Sequence, residues 1–236
     1  MRRHITGFGG KLDMYIDIQN VLAFCHVLLF GYWLGADLGV YYCDSQLVRE
    51  DLDLDERLRV RVIRLKLDMV PRTCLILILA FGATLALQYS SPISGWWLAL
   101  MWFLSLAWLY VVWQIHFRAG TSLGERLARL DIWWRYAVTA ALILFGLYCL
   151  VNGKPLSDNW LSFKLVLFGC IILNGVWIRK IAARWQPIFD MVRVGGDQRV
   201  KGEALMKVNR ASAGMANMTI WTLVIIMAFI GETKLF

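Results

Sequence analysis

Long apolar stretches alternate with short charged ones along the chain, a pattern typical of helical membrane proteins. Six stretches are long enough to cross a bilayer as single helices, because about 20 apolar residues span its hydrocarbon core. We predict these transmembrane helices at residues 18–42, 69–90, 95–117, 132–152, 160–182 and 212–231. The sequence therefore predicts an all-α fold, one polytopic membrane helical bundle of about six transmembrane helices over residues 1–236.

Two charged segments between these helices have a different periodicity. Residues 44–68 alternate acids and bases and place Leu54, Leu58 and Val62 four residues apart, which indicates an amphipathic helix. Residues 184–210 are similar and are interrupted by Gly195 and Gly196. We predict that both segments are cytoplasmic, and that the second lies along the membrane surface.

The distribution of charge predicts the orientation. Basic residues are concentrated in the first, third and fifth connections, whereas the connections near residues 89–95 and 152–159 carry almost no charge. Positively charged loops stay in the cytoplasm, so both termini are predicted to lie outside. Because the net charge of +8 is accounted for by orientation, we expect a lipid bilayer as the environment and no nucleic-acid partner.

Composition supports this class and excludes others. The chain is 59% hydrophobic with a mean hydropathy of +0.56, which excludes an ordinary soluble domain. Its five cysteines are scattered, without a C-x-x-C or C-x-x-C-H motif, so neither a disulfide framework nor covalent haem attachment is indicated. We expect an integral protein of a bacterial inner (cytoplasmic) membrane.

Two polar side chains fall inside predicted helices at a similar depth. His26 lies about 12 Å from the outer end of the first helix, and Lys164 about 6 Å from the outer end of the fifth, at the helical rise per residue. A lysine side chain is long, so the two can meet in the outer leaflet. Each is costly in hydrocarbon and needs a partner, a water-filled space or a function.

The residue types leave several roles open. His26 can form a hydrogen bond to a neighbouring helix, carry protons, or bind a metal or haem. Lys164 can extend to the interface, or pair with a carboxylate of a bound ligand such as a haem propionate. If they share a site, the imidazole ligates iron while the lysine holds the propionate.

A second polar layer is predicted near the inner ends of the helices. It contains Asp37, Asp68, Arg72 and Arg135, on three different helices. Acids and arginines at one depth suggest ion pairs that tie the bundle together. Asp37 is the deepest of them, and it either pairs with Arg72 or Arg135 or belongs to a proton path.

Three segments resemble a known family. The segment His26–Gly35 is similar to the first helix of HemJ-type protoporphyrinogen oxidases, in which tryptophan and then glycine follow a histidine. Trp160–Leu165 resembles that family's W-L-x-x-K-L motif. The segment Leu205–Asn209 and the terminal residues 234–236 are similar to its closing helix. The CopD-like membrane proteins have similar helices that contain histidine and glycine.

This resemblance implies a site and an activity. His26 would ligate the iron of haem b, and Lys164 would be the second essential residue. Trp33 and Asn209 stand at motif positions and are candidate cofactor-binding residues. Lys164 is therefore a candidate catalytic residue, and Asp37 is a second one on other grounds, its depth in the membrane and the hypothesis of a proton path. The implied activity is oxidation of protoporphyrinogen IX in the membrane.

Three functions follow as hypotheses, and whether the chain is an enzyme stays open. A haem-b oxidoreductase, acting on a porphyrinogen or passing electrons to quinone, predicts one apolar cavity that both His26 and Lys164 face. A non-catalytic anchor or electron-transfer subunit of a redox complex predicts packed helices at His26 and a partner protein or a second copy. A small transporter or metal-uptake protein predicts a polar path from Lys164 to Asp37.

Overall fold

The computed structural model of the chain describes residues 17–87 and 95–234. Seven helices and no strand occupy these residues, so the predicted all-α fold is confirmed. The helices are α1 (Ile18–Leu47), α2 (Leu54–Leu67), α3 (Met69–Ala86), α4 (Trp96–Phe117), α5 (Ser122–Asn152), α6 (Asn159–Val194) and α7 (Gly196–Thr233).

The described residues contain six helical runs that are long and apolar enough to cross a membrane, with α2 and α3 forming one run. The protein is therefore a polytopic integral membrane protein. Large apolar side chains cover its outer faces, among them Phe24, Phe103, Leu144 and Phe229, each more than half exposed. Residues 88–90, the predicted end of the second transmembrane helix, lie outside the described residues.

Local sequence signals explain where several helices begin. The carboxylate of Asp17 caps α1 by accepting a hydrogen bond from the Gln19 backbone N–H at 3.0 Å. The carboxylate of Asp53 caps α2 in the same way, by accepting from the Glu56 backbone N–H at 2.7 Å. Such caps satisfy backbone donors that have no partner within the helix. Pro71 falls in the first turn of α3, where a missing N–H costs no helical hydrogen bond.

The inner ends of α6 and α7 extend well beyond the predicted boundaries. Residues 184–210, predicted as a separate surface segment, form the ends of these two helices, joined at Gly195 with φ of 85°. Buried apolar residues recur every three or four positions along this part of α6, so its core-facing stripe continues past the predicted transmembrane segment. These residues and their partners are Leu47, Trp185, Ile188, Phe189, Val192 and Met206.

Buried arginines tie α2 to this inner core. Arg57 is 1% exposed and forms two hydrogen bonds of 2.7 Å to the carboxylate of Glu203, while its Nε donates to the Leu47 carbonyl at 2.8 Å. Arg64 pairs in the same way with Asp44 on α1. The amphipathic helix predicted within residues 44–68 is therefore held to the bundle by charge as well as by apolar contacts.

Small residues let the transmembrane helices approach closely. A Cβ atom added to Gly146 on α5 would lie 2.8 Å from the carbonyl oxygen of Ser162 on α6. One added to Gly169 on α6 would lie 2.6 Å from Ile143. Close backbone approach at glycine is a common means of helix association in membranes. This contact fixes the position of α6, which carries Lys164.

Candidate functional site

Two cavities lie within the described bundle, one toward each end of the transmembrane helices. The outer cavity has a volume of about 190 Å³ and is lined by α1 and by α3 to α7. The inner cavity has a volume of about 50 Å³ and is lined by α1, α3, α5, α6 and α7. These names follow the orientation that the loop charges predict.

The outer cavity brings together the two residues that sequence depth suggested. His26 from α1 and Lys164 from α6 both line it, and they are its two polar side chains. The remaining wall is aliphatic or aromatic, with Met101, Phe145, Phe168 and other side chains of that kind. An apolar pocket with a few convergent polar groups is a common form of ligand site.

The imidazole of His26 has an unused nitrogen. Its Nδ1 is buried and has no hydrogen-bond partner among the described residues. The backbone of Ile78 approaches the ring but does not form a hydrogen bond of normal geometry with it. Gly82 lies against the ring, and a Cβ atom there would be 3.1 Å from Cε1. The ring is therefore closely packed, while one of its nitrogens is left without a partner.

The ammonium group of Lys164 has an aromatic contact but no ion pair with a described residue. Its Nζ lies 5.8 Å from the centroid of the Trp160 ring, within the range of a cation–π interaction. Gly231 on α7 makes room for it, because a Cβ atom there would lie 2.5 Å from Nζ. No described carboxylate forms a salt bridge with Lys164. The outer cavity is thus cationic and apolar, which suits a ligand with a carboxylate and a large apolar body.

The other predicted site residues do not line the outer cavity. Trp33 and Asp37 line the inner cavity, and the Trp33 Nε1–H donates to Asp37 Oδ2 at 3.1 Å. Asn209 is buried near the inner end of α7, where its Nδ2 donates to the Ile181 carbonyl at 3.3 Å. Helical rise explains the separation, since Trp33 lies seven residues, or about 10 Å, farther inward along α1 than His26.

The inner layer consists of ion pairs centred on a residue that sequence reasoning missed. Asp131 on α5 is 1% exposed and accepts from Arg135 at 2.9 Å and from Arg179 at 2.7 Å. The Trp108 Nε1–H donates to the same carboxylate at 2.8 Å. Asp131 precedes the predicted start of its transmembrane helix by one residue and so seemed to belong to a loop. Its spacing of four residues from Arg135 was the available signal.

Asp68 supplies the second pair of this layer. It forms a salt bridge with Arg72, one helical turn away across the junction of α2 and α3. Both residues line the inner cavity together with Asp37. The ion pairs expected at this depth are therefore present, but within the described residues Asp37 forms none.

An apolar layer separates the two cavities, which have no lining residue in common. Ile76, Ile172 and Val224 are fully buried at 0% exposure. These residues belong to α3, α6 and α7. Along its own helix, each of them lies between a residue that lines the inner cavity and one that lines the outer cavity. The continuous polar path that a transporter would need is not found in the part of the chain that the structure describes.

The outer cavity suits haem b in its donor groups but is too small for the whole macrocycle. The donor set fits, because an imidazole nitrogen without a partner can ligate iron and a lysine can hold a propionate. The described residues form no group of three or more His, Cys, Asp or Glu side chains for a bare metal ion, whereas a porphyrin brings its own nitrogen ligands. The volume of about 190 Å³ is smaller than the roughly 300–1,000 Å³ of drug-sized ligand sites. A whole macrocycle therefore needs a wider cavity than this one.

Comparisons with protein-family models, curated proteins and solved structures found no match. The assignment of a function therefore rests on the geometry of this chain.

Proposed function

We propose that this protein is an integral membrane haem-b oxidoreductase with its cofactor site in the outer cavity. One observation carries the proposal. An imidazole and a lysine face the same apolar cavity from two helices, and among the described residues the buried imidazole nitrogen has no hydrogen-bond partner and the lysine no ion pair. Intramembrane ionisable residues normally have partners or functions, and a haem would give both residues a partner.

Each side chain would have a distinct part in this site. The haem, when bound, supplies one-electron chemistry. His26 would hold the iron and orient the ring on α1. Lys164 would bind a propionate carboxylate and so fix the ring's rotation. The aliphatic and aromatic walls would exclude water, and burial of this kind influences the reduction potential.

Binding a macrocycle requires the cavity to widen. The lining contains Met101 and Met227, and methionine side chains are flexible enough to repack around a ligand. Gly82 and Gly231 already bring α3 and α7 close to His26 and Lys164. We expect that the helices stay in place while the methionine side chains move.

The resemblance stated above extends the proposal to substrate and location. A porphyrinogen, itself an apolar tetrapyrrole with carboxylates, would be the electron donor, and a quinone or a redox partner protein the acceptor. The protein would act in a bacterial inner membrane, alone or as a homo-oligomer.

The alternatives have less support. A non-catalytic anchor predicts no cavity beside His26, whereas the His26 ring, although packed against α3, lines a cavity of about 190 Å³. A transporter predicts a polar path, where buried aliphatic side chains separate the two cavities.

Absorption spectroscopy tests the proposal. The full chain is purified in detergent, supplied with haem, and measured oxidised and after reduction with dithionite. We expect a Soret band and a reduced α-band in the wild type, their loss in His26→Ala, and their retention in His116→Ala, a matched control whose histidine does not line the outer cavity. A wild type that stays colourless after haem is added would refute the haem proposal, and so would an unchanged spectrum in His26→Ala.

A further inference from the structure

The inner cavity contains arginine groups whose hydrogen-bonding capacity is not used. The side chain of Arg135 is 3% exposed, and its Nη2 has no hydrogen-bond partner among the described residues. The Nη2 of Arg179 is likewise buried without a partner there. Both side chains line the inner cavity. Buried polar atoms in native structures are normally satisfied, so two such donors at one cavity point to a bound acceptor.

The position of the Arg135 guanidinium is fixed by contacts on its other sides. Its Nε donates to Asp131 at 2.9 Å, and its Cζ lies 5.1 Å from the centroid of the Trp108 ring. On α6, Gly175 leaves space beside it, because a Cβ atom there would have Arg135 Nη1 as its nearest neighbour at 3.8 Å. Nη2 therefore cannot turn to another partner without breaking these contacts.

The charges of the layer also favour an anion. Arg135 and Arg179 share one carboxylate, that of Asp131, while Arg72 has Asp68 to itself. These three arginines and two aspartates leave one positive charge. Asp37 also lines the cavity, where it accepts a hydrogen bond from Trp33, and no described cation forms a salt bridge with it. Asp37 therefore pairs with neither Arg135 nor Arg179, which have only the Asp131 carboxylate between them among the described residues.

The volume limits what can bind. A cavity needs about 10–15 Å³ to hold one water molecule. The inner cavity, at about 50 Å³, has room for a few waters or for one small anion, and is too small for a drug-sized organic ligand.

We propose that the inner cavity binds one small inorganic anion, in the size range of chloride to bicarbonate, with the guanidinium groups of Arg135 and Arg179 as its donors. The site does not depend on the proposed haem, because an apolar layer separates the two cavities. The carboxyl group of Asp37 faces the same space, so its negative charge opposes the anion.

The proposal predicts substitutions with opposite signs. The measured effect is the rise in the thermal unfolding midpoint when the anion is added. Asp37→Asn removes a negative charge and keeps an oxygen to accept from Trp33, so it should lower the anion concentration that gives half of this rise at least tenfold. Arg135→Gln removes a donor and should abolish the effect. Gly175→Ala adds a methyl group beside Arg135 without a clash, and should raise that concentration at least tenfold. Gly35→Ala, where a Cβ atom meets nothing within 4 Å, is the matched control and should change nothing.

The measurement is the thermal unfolding midpoint of the detergent-purified full chain, at constant ionic strength, as sodium chloride or bicarbonate replaces sodium gluconate. Gluconate is too large for the cavity. A ligand that binds the folded state raises the midpoint in a saturable manner, and we expect this of the wild type and equally of His26→Ala.

Two results would overturn the proposal. One is a wild type with the same midpoint in chloride, bicarbonate and gluconate. The other is an effect of equal size in Gly175→Ala and Gly35→Ala, because that would indicate general salt screening. If Arg135→Gln does not fold, Gly175→Ala and Asp37→Asn still decide the question. If the anion raises the midpoint of a protein that binds no haem, the anion proposal holds while the haem proposal fails.

Discussion

The two cavities treat buried charge in opposite ways. In the inner layer, Asp131 and Asp68 neutralise arginines within the chain, and Trp108 supplies a further hydrogen bond. In the outer cavity, Lys164 faces apolar walls and forms no ion pair with a described residue. Charges that hold helices together are compensated by the protein, whereas a charge that awaits a ligand is compensated only when the ligand binds. The difference separates arginines that are paired by carboxylates of the protein, and so hold the helices together, from a lysine whose counter-charge would come from a ligand.

The largest predicted effect is in the inner layer. Asp131→Ala would leave Arg135 and Arg179 buried without their shared carboxylate. Removing one member of a buried ion pair typically costs about 3–5 kcal/mol, because the remaining charge is uncompensated. We expect a clear fall in the thermal unfolding midpoint, or failure to accumulate in the membrane. Glu125→Ala, at an exposed position on the same helix, is the control, and an equal midpoint in both variants would contradict this account.

The second prediction has the opposite sign. Lys164→Met replaces a cation that pairs with no described carboxylate by an apolar side chain of similar length. A lysine at the centre of a transmembrane helix costs about 2.5–3.5 kcal/mol, and less near a helix end. We therefore expect an unchanged or higher unfolding midpoint together with weaker haem binding. Haem binding is measured by titration, with the absorbance of the Soret band as the signal. A fall as large as that of Asp131→Ala would mean that Lys164 stabilises the fold.

The sequence was sufficient for the elements whose signal is local. Apolar length located the six transmembrane runs, because hydrocarbon thickness sets a minimum length for each. Counting residues from the outer ends placed His26 and Lys164 at compatible depths, and the structure has both at one cavity. Depth follows from helical rise alone, so no knowledge of helix neighbours was needed.

Features that depend on helix rotation and neighbours could not be predicted. Depth placed Asp37 in an inner polar layer, but it did not show that Trp33 lines the inner cavity with it, or that an apolar layer from three other helices separates this cavity from His26. The pairing of Asp131 with Arg179 joins residues far apart in the chain. The inner ends of α6 and α7 read as surface segments because their buried stripe is narrow and surrounded by charge.

A smaller effect is predicted for Gly231→Ala, which tests the position of the Lys164 amine and leaves its charge unchanged. The added Cβ atom would lie 2.5 Å from Nζ, so the flexible end of the lysine must move. We expect haem affinity to fall about tenfold, equivalent to about 1.4 kcal/mol, with little change in stability. Gly31→Ala, where a Cβ atom meets nothing within 4 Å, should bind haem as the wild type does. Equal affinity in both variants would show that the amine has no defined position in the site.

The smallest effect is expected at an exposed ion pair. Glu50 and Lys207 form a salt bridge of 2.7 Å, with side chains 57% and 63% exposed. The hydrogen bond from Lys207 lowers the pKa of the Glu50 carboxyl. A lowered carboxyl pKa adds stability above the unfolded value of about 4.3 and loses it as pH falls through the folded value.

Solvent and salt screen such a pair, so its contribution should be below detection at physiological ionic strength. Glu50→Gln should have the wild-type unfolding midpoint at pH 7 and at pH 3. A fall at pH 7 comparable with that of Asp131→Ala would mean that burial does not decide the importance of ion pairs in this protein. The contrast between the two cavities depends on that premise, because Lys164 marks a binding site only if a buried charge is costly to leave unpaired.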